Sequence, residues 1–325
     1  MAKERLARRV AAVLILCCAA MASIAQDYPA RPVRLVVPFP AGGAPDTVAR
    51  TLGESFSARW GQQVLVENRL GAGGNVAYGS VASAPPDGYT LLLAATGIAT
   101  NVSLYRSLPY DPVKDFAPIS LVASSPHMLV VNPSLVSATS VRELVAQAKA
   151  RPGQISFGSA GSGTVLHLAG EMFKSMAGVD LLHIPYKGTQ PAMADLLGGR
   201  IGLMYIDIAP SLQHIRSGRL RVLATTAGRR TAVFPDVPTI AEAGVAGYEI
   251  VAWFGLLAPA ATPRGVVDRV HQATVAMVGT PEVRARLGEV GIELVGGTPE
   301  QFGAYIRSEI DVMAKVVKAS GAKPD

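Results

Sequence analysis

Short apolar runs recur along the chain and predict buried strands. They are rich in Val, Ile and Leu, and stretches with helical periodicity separate them. Continuous apolar strands that alternate with helices are typical of parallel sheets that are covered on both faces. The predicted strands are residues 33–37, 64–67, 89–94, 128–131, 155–157, 181–184, 201–206, 220–225 and 250–257.

The helix predicted after the first strand carries an apolar stripe with a spacing of four residues. Its members are Val48, Leu52, Phe56 and Trp60. This spacing places them on one helix face, so we expect Trp60 in the core and not at a ligand. Two capping-box patterns predict further helix starts. They lie at Ser140 to Glu143 and at Thr298 to Gln301, and the second leads an amphipathic stretch to about Ser320.

The amino-terminal segment has the layout of a secretory signal peptide. Basic residues come first, residues 10–25 carry no charge, and small side chains at Ser23 and Ala25 precede a polar stretch. A membrane anchor is the alternative, but the uncharged run is shorter than the roughly 20 residues of a membrane-spanning helix. We therefore expect export and cleavage near Ala25. Cys17 and Cys18 would leave with residues 1–25, so the mature chain has no disulfide and no thiolate chemistry.

Composition indicates a packed globular protein without an affinity for nucleic acid. Hydrophobic residues make up 49% of the chain, enough for one or two sizeable cores. The formal charge of +6 falls to +3 without residues 1–25, which hold four Lys or Arg and one Glu. The remaining basic residues are interspersed with acidic ones and form no cluster, which argues against nucleic-acid binding.

Two glycine-rich loops have the same local design. The first glycine loop, residues 38–46, and the second glycine loop, residues 158–164, each follow a predicted strand and precede a helix. Glycines allow the backbone to approach a ligand, and the first-turn amides of a helix have no partner within the helix. A helix start also carries a partial positive charge that suits an anion. Each loop alone is equally compatible with a tight turn, but one in each half of the chain favours an anion held between them.

Several kinds of site are excluded by missing patterns. Neither loop continues as Gly-Lys-Ser/Thr, as G-x-G-x-x-G with an acidic partner, or as G-x-S-x-G. The five histidines lack a ligand spacing for zinc. We therefore expect no cofactor, no metal and no catalytic residue. Two roles stay open: His167 either donates to an anion or caps local backbone, and Asp46 either bonds its own helix start or contacts ligand.

With these segments in view, the sequence resembles the Bug family, also called TctC, of periplasmic receptors for tripartite tricarboxylate transporters. The similarity covers nearly the whole mature chain. It is carried by VPFPAGGAPDTVAR from Val37, GQQVLVENRLGAGGNVA from Gly61, APPDGYTLLLAATG from Ala84, LPYDPVKDFAPISLVA from Leu108, FGSAGSGTVLHLAGE from Phe157, HIPYKGTQPAMADLLGG from His183 and VPTIAEAG from Val237.

The resemblance implies an α/β fold of the two-domain periplasmic binding protein type, a Venus flytrap. Each domain is expected to be a mainly parallel sheet flanked by helices. Residues 27–126 and 248–325 would form the first domain, and residues 127–247 the second. The hinge is expected at the crossings, near residues 124–128 and 247–253.

The resemblance also implies a set of ligand contacts, made largely through backbone amides. In the first domain they are Phe39, Ala41, Gly43, Asp46 and Thr96. In the second domain they are Ser159, Ala160, Gly163, Thr164, His167, Tyr186, Lys187 and Asp207. Lys187 is alternatively a solvated side chain. Asp207 departs from the Asn-containing pattern of the family, and it would either recognise an amine or repel a second carboxylate.

The expected function is that of a monomeric periplasmic receptor for a small carboxylate. The carboxylate would be a di- or tricarboxylate, an acidic amino acid or an aromatic acid, and the partners would be the membrane subunits of the transporter. One alternative is a sensory adaptor that presents the loaded receptor to a sensor protein. Another is a periplasmic hydrolase or isomerase that uses His167 with Asp207.

Overall fold

Two α/β halves that share long antiparallel strands make up the described part of the chain. The structure is a computed structural model and describes residues 28–322. The predicted signal peptide lies outside the described residues. The strands are β1 (Val33–Val37), β2 (Val64–Asn68), β3 (Thr90–Ala95), β4 (Phe116–Val131), β5 (Ser156–Ser159), β6 (Leu182–Pro185), β7 (Leu203–Asp207), β8 (Arg221–Thr225), β9 (Val251–Pro259) and β10 (Glu293–Leu294).

The helices cover both faces of this sheet system. They are α1 (Ala44–Trp60), α2 (Asn75–Ala82), α3 (Gly97–Leu104), α4 (Val141–Ala150), α5 (Val165–Ala177), α6 (Thr189–Leu197), α7 (Ile208–Arg216), α8 (Arg264–Val278), α9 (Pro281–Glu289) and α10 (Pro299–Ser320). All nine predicted strands are confirmed to within two residues, except that the run 128–131 is only the last part of β4.

The strand order is β2-β1-β3-β9-β4-β7-β5-β6, and β8 and β10 each pair with β4. The pairs of β1 with β2 and β3 are parallel, and so are the pairs of β5 with β6 and β7. These two sets of three parallel strands correspond to the parallel sheets that the sequence predicts. We call the side of β1–β3 the first half and the side of β5–β7 the second half. Between them, β9 and β4 run antiparallel to their neighbours.

The point where the halves join is a change of partner within β4. Up to Pro126, β4 pairs with β9, and from His127 onward it pairs with β7. On the other strand, β9 begins at Val251, opposite Pro126. The predicted domain boundaries lie beside this change of partner, and the division into domains stays a prediction.

Each half has its own core, as the apolar pattern predicts. In the first half, the stripe of α1 is buried at Val48, Leu52 and Phe56, and Trp60 packs partly buried against the same cluster. In the second half, Phe157 and Phe173 are completely buried. The core position predicted for Trp60 is therefore confirmed, with its ring at the edge of the cluster.

One of the two predicted capping boxes is complete. Thr298 accepts from the amide of Gln301, and the Gln301 side chain accepts from the amide of Thr298 at 2.9 Å. Ser140 likewise accepts from the amide of Glu143 at 3.2 Å. The Glu143 carboxylate, however, binds the amide of Thr139 at 2.7 Å, one residue before the expected partner. The second hydrogen bond of this capping box is therefore made to Thr139 and not to Ser140.

Helix α10 packs on both halves, which the sequence did not predict. Its first turns place Phe302 and Ile306 in a core cluster of the first half, against Trp253. Its last turns place Met313 and Val317 in the core cluster of the second half. The carboxyl-terminal helix therefore ties the two halves together.

Candidate functional site

The carboxyl ends of parallel strands from both halves meet at the partner change in β4. Thr96 follows β3 directly and accepts a hydrogen bond at Oγ1 from the amide of Trp253 at 3.0 Å. Trp253 pairs with Ser124 of β4, and Asp207 at the end of β7 pairs with His127 a few residues further along. Ligands of open α/β sheets bind outside the carboxyl ends of the strands. This junction is therefore the candidate site.

The first glycine loop reaches this edge from β1. Phe39 is half-buried, whereas Ala41 and Gly43 are exposed. Gly43 caps α1 with a φ of −86°, a conformation open to any residue, and Gly42 has the positive φ of +89°. Pro45 occupies the first turn and has no N–H. The helix start thus offers fewer amide donors than its glycine-rich sequence suggests.

Asp46 is almost fully buried, and local bonds occupy its carboxylate. It accepts from the Gly42 amide at 2.9 Å, from Asn68 Nδ2 at 3.0 Å and from Arg50 Nε at 2.9 Å. Burial opposes ionisation, but these hydrogen bonds outweigh it and lower the pKa of Asp46. Of the two roles left open by the sequence, the structure shows local bonding at the helix start.

Hydrogen bonds hold the second glycine loop together and tie it to the first turn of α5. The Gly163 amide donates to His167 Nδ1 at 3.0 Å. Thr164 caps α5, with its Oγ1 donating to the Gly161 carbonyl at 2.7 Å and accepting from the His167 amide at 3.4 Å. Because Nδ1 accepts, the proton of a neutral His167 resides on Nε2, which lies 3.9 Å from Glu171 Oε1. His167 therefore caps local backbone, which is one of its two expected roles.

Sequence reasoning missed His183, which completes a stack of three rings behind the second glycine loop. The His183 ring is stacked near both Phe157 and His167, with ring centroids 4.8 Å and 3.8 Å away. Its Nε2 is 2.7 Å from Ser159 Oγ, which also bonds to the carbonyl of Gly161 at 3.1 Å. Ser159 is completely buried. The Ser159 hydroxyl is therefore used to hold the loop to its own backbone and to His183.

The register of the second sheet is the signal that could have identified His183. His183 in β6 lies directly opposite Phe157 in β5. Residues opposite each other on paired strands have neighbouring side chains. The sequence predicted both strands but not which residues face each other.

Tyr186 and Lys187 lie on the turn that follows β6 and are held against the second glycine loop. The Tyr186 amide donates to the Ser159 carbonyl at 3.1 Å, and the Gly188 amide donates to the Ala160 carbonyl at 3.2 Å. Tyr186 Oη donates to Asp195 at 2.8 Å, and burial together with this bond raises the pKa of Tyr186 to about 12. Lys187 is exposed.

The two halves touch at the second glycine loop. Gly163 has a φ of +77°, and a Cβ added there would lie 2.7 Å from Cδ1 of Leu104 in α3. Leu104 itself belongs to the core cluster of the second half. The second glycine loop therefore contacts α3, the helix whose N-cap is Thr96.

His167 and Asp207 each lie beside another ionisable side chain. The carboxylate beside His167 is Glu171, and the histidine beside Asp207 is His127, whose Nε2 lies 3.5 Å from Asp207 Oδ1. Neither of these two contacts joins His167 to Asp207, so they lend no support to the enzyme alternative.

Metal-ligand clusters and membrane-spanning helices are both absent from the described residues. Among residues 28–322, no group of three or more His, Cys, Asp or Glu side chains is arranged to hold a metal ion. In that same described range, no helix is long and apolar enough to cross a membrane.

Comparison with known proteins gives one consistent family. Residues 48–322 match the family described as tripartite tricarboxylate transporter family receptor. Protein BugT of Bordetella pertussis is 39% identical over 301 residues, covering 92% of each chain. A protein encoded in the tcbD-tcbE intergenic region of Pseudomonas sp. strain P51 is 40% identical over 314 residues, covering 95% of this chain and 93% of its own.

Solved structures agree in fold. The structure of R. palustris Rpa4515 with adipate has a TM-score of 0.84 at 38% identity and covers 92% of this chain and all of its own. Periplasmic binding protein BugD has a TM-score of 0.80 at 39% identity, with the same coverage. MatC of Rhodopseudomonas palustris with malate has a TM-score of 0.78 at 32% identity and covers 89% of this chain. The expected two-domain binding-protein fold is confirmed.

Proposed function

Because this chain belongs to the tripartite tricarboxylate transporter receptor family, a family of solute-binding receptors, we propose that it captures a small organic acid in the periplasm. It then delivers the acid to the membrane subunits of such a transporter. Export is by the predicted signal peptide, with cleavage near Ala25. The receptor works as a monomer and returns its ligand chemically unchanged.

The observation that carries this proposal is the meeting of strand ends from both halves at one junction. Thr96 of the first half and Asp207 of the second approach the same stretch of β4. Each half also brings a glycine loop and a helix start to this edge. Helix starts and turn amides favour anions. A carboxylate bound at the junction would therefore be contacted by both halves, and this would favour closure around it.

The solved relatives support the ligand class. Two structures of this fold hold adipate and malate, which are small aliphatic acids. The glycine loops here offer Phe39 as their one aromatic side chain and no Lys or Arg. We propose that the carboxylate is bound mainly by backbone amides, since the loops contain no basic side chain. The amides of Gly163 and Thr164 are already bonded within the protein, so the contacts would come from the other predicted residues of the two loops, with Thr96 beside them.

A thermal-shift screen tests this function. The mature protein is mixed with mono-, di- and tricarboxylates and, as controls, with neutral sugars of similar size. A ligand that binds only the folded state raises the melting temperature. We expect at least one carboxylate to raise it and calorimetry to give a one-to-one stoichiometry. Stabilisation by sugars alone would refute the carboxylate proposal.

A second measurement separates a receptor from an enzyme. The stabilising acid is incubated with the protein for hours and recovered after denaturation. We expect it to be recovered quantitatively and unchanged by mass spectrometry. Conversion of the acid in proportion to protein concentration would contradict the receptor proposal.

A further inference from the structure

The Asp207 carboxylate is only partly used by the protein, although it lies at the candidate site. Asp207 ends β7 and is the N-cap residue of α7, yet its side chain makes no capping hydrogen bond. Its side chain is 31% exposed, and its ion-pair partner is His127 Nε2 at 3.5 Å. Among the described residues, no Lys or Arg lies within ion-pair distance of it. Asp207 therefore differs from Asp46, whose carboxylate accepts from Gly42, Asn68 and Arg50.

His127 contacts Asp207 from the neighbouring strand. The two residues are directly opposite each other on β4 and β7, so their side chains lie on the same face of the sheet. The backbone of His127 is fixed by Thr226, whose Oγ1 accepts from the His127 amide at 3.0 Å and whose amide donates to the His127 carbonyl at 2.9 Å. The His127 side chain is only 3% exposed. It is thus a rigid support on the buried side of Asp207.

His127 compensates the negative charge poorly at neutral pH. Burial lowers the pKa of His127, and the opposing attraction of Asp207 is the smaller effect. Since burial disfavours the protonated form of His127, its imidazole adds little positive charge beside the carboxylate. The Asp207 carboxylate therefore has unused acceptor capacity, and a half-buried acceptor is favourable only when a donor meets it.

From this geometry we infer that the site selects acids that carry a hydrogen-bond donor, an ammonium or a hydroxyl group, at the end opposite the bound carboxylate. Asp207 accepts from that donor, and His127 is the positioning residue that aims Asp207. The inference rests on the proposed function, because it assigns the second end of a ligand whose first carboxylate the glycine loops bind. Plain dicarboxylates are disfavoured, since their second carboxylate would face the charge of Asp207.

Acids of matched length test the inference directly. The probes are adipate, 6-aminohexanoate and 6-hydroxyhexanoate, which share six carbons and differ only at one end. Succinate with 4-aminobutanoate, and suberate with 8-aminooctanoate, extend the series to shorter and longer ligands. Calorimetry on the mature protein should give at least tenfold tighter binding for the amino or hydroxy acid than for the dicarboxylate of the same length. The ammonium and hydroxyl probes decide which donor is preferred.

Variants locate the selectivity at Asp207. Asp207→Asn should reduce the preference to less than threefold, because the amide accepts from a donor without repelling a carboxylate. Asp180→Asn is the matched control, since Asp180 is exposed and precedes β6 at the opposite edge of the sheet. It should leave the preference unchanged. His127→Leu should lower the preference although Asp207 is intact, and His127→Gln, which keeps a donor, should restore part of it.

The outcomes separate this inference from the proposed function. If the dicarboxylates bind as tightly as the amino and hydroxy acids, and Asp207→Asn changes nothing, the inference is wrong while the carboxylate receptor stands. If no acid of any length binds, the proposed function itself fails. The ratio of two affinities measured on one variant is independent of its folding yield, so partial loss of folded protein does not obscure the result.

Discussion

Gly163 should be far less tolerant of a side chain than Gly43, although both lie in glycine loops before a helix. Gly163 has a φ of +77°, and an added Cβ would lie 2.7 Å from Leu104 Cδ1 across the junction of the halves. Gly43 has a φ of −86°, and its nearest neighbour would be Pro45 Cδ at 3.6 Å, an ordinary contact. Gly163→Ala and Gly43→Ala are therefore a matched pair.

The magnitude follows from two contributions at Gly163. A left-handed backbone with a Cβ costs roughly 1–2 kcal/mol, and overpacking costs about 1–3 kcal/mol. We expect Gly163→Ala to lower the free energy of unfolding by about 2–5 kcal/mol, or to separate the loop from Leu104 and weaken ligand binding instead. Each 1.4 kcal/mol lost from the closed state costs about tenfold in affinity. Gly43→Ala should stay within about 0.5 kcal/mol of the wild type.

Urea unfolding and calorimetry with a carboxylate ligand measure both effects. The double variant Gly163→Ala with Leu104→Ala removes the steric contribution and keeps the backbone strain. A double-mutant cycle therefore gives the interaction free energy between the two positions. We expect a coupling of at least about 1 kcal/mol. If Gly163→Ala and Gly43→Ala have equal stability and equal affinity, the contact between the halves does not exist as described.

Three further results are expected. Asp46→Asn should lose stability at pH 7, and this loss should shrink as pH falls through the lowered pKa of Asp46, because the stabilisation by its ionised carboxylate disappears there; a loss that does not change with pH in urea unfolding would contradict this. Glu309→Gln should gain stability at pH 8 and none at pH 4, since burial raises the pKa of Glu309 despite its bond from the Trp253 indole at 2.8 Å; a loss at both would refute it. Small-angle scattering should show a smaller radius of gyration with ligand, and an unchanged radius at saturation would indicate a rigid site.

The parallel strands could be predicted from the sequence because each contains a short apolar run, and β1, β3, β5 and β7 are buried along nearly their whole length. The first part of β4 could not. It contains Pro118, Pro126 and several Ser and Ala residues, and it pairs with β9 through two irregularities of register. Such a segment becomes a strand only because a neighbour supplies the hydrogen bonds. The junction of the halves therefore could be located only from the pairing of β4 with β9 and β7 in the structure.

The glycine loops were predicted in position but not in their bonding. Glycine spacing indicates where backbone can approach a ligand, yet it does not reveal that the Gly163 amide is taken by His167 or that Pro45 removes a donor. His127 and His183 were missed for a related reason. Each acts through the residue opposite it on a paired strand, Asp207 and Phe157 respectively, and register is a tertiary property.

Helix α10 limits the motion by which the halves can close. The two crossing strands alone would allow rotation about the partner change in β4, where element ends absorb changes of φ and ψ. Yet Met313 and Val317 of α10 are buried in the second half, while Phe302 and Ile306 are buried in the first. Rotation must therefore either be small or slide the last turns of α10 across α5. Because exposing those buried side chains would cost free energy, ligand contacts must supply more than that cost for closure to be favoured.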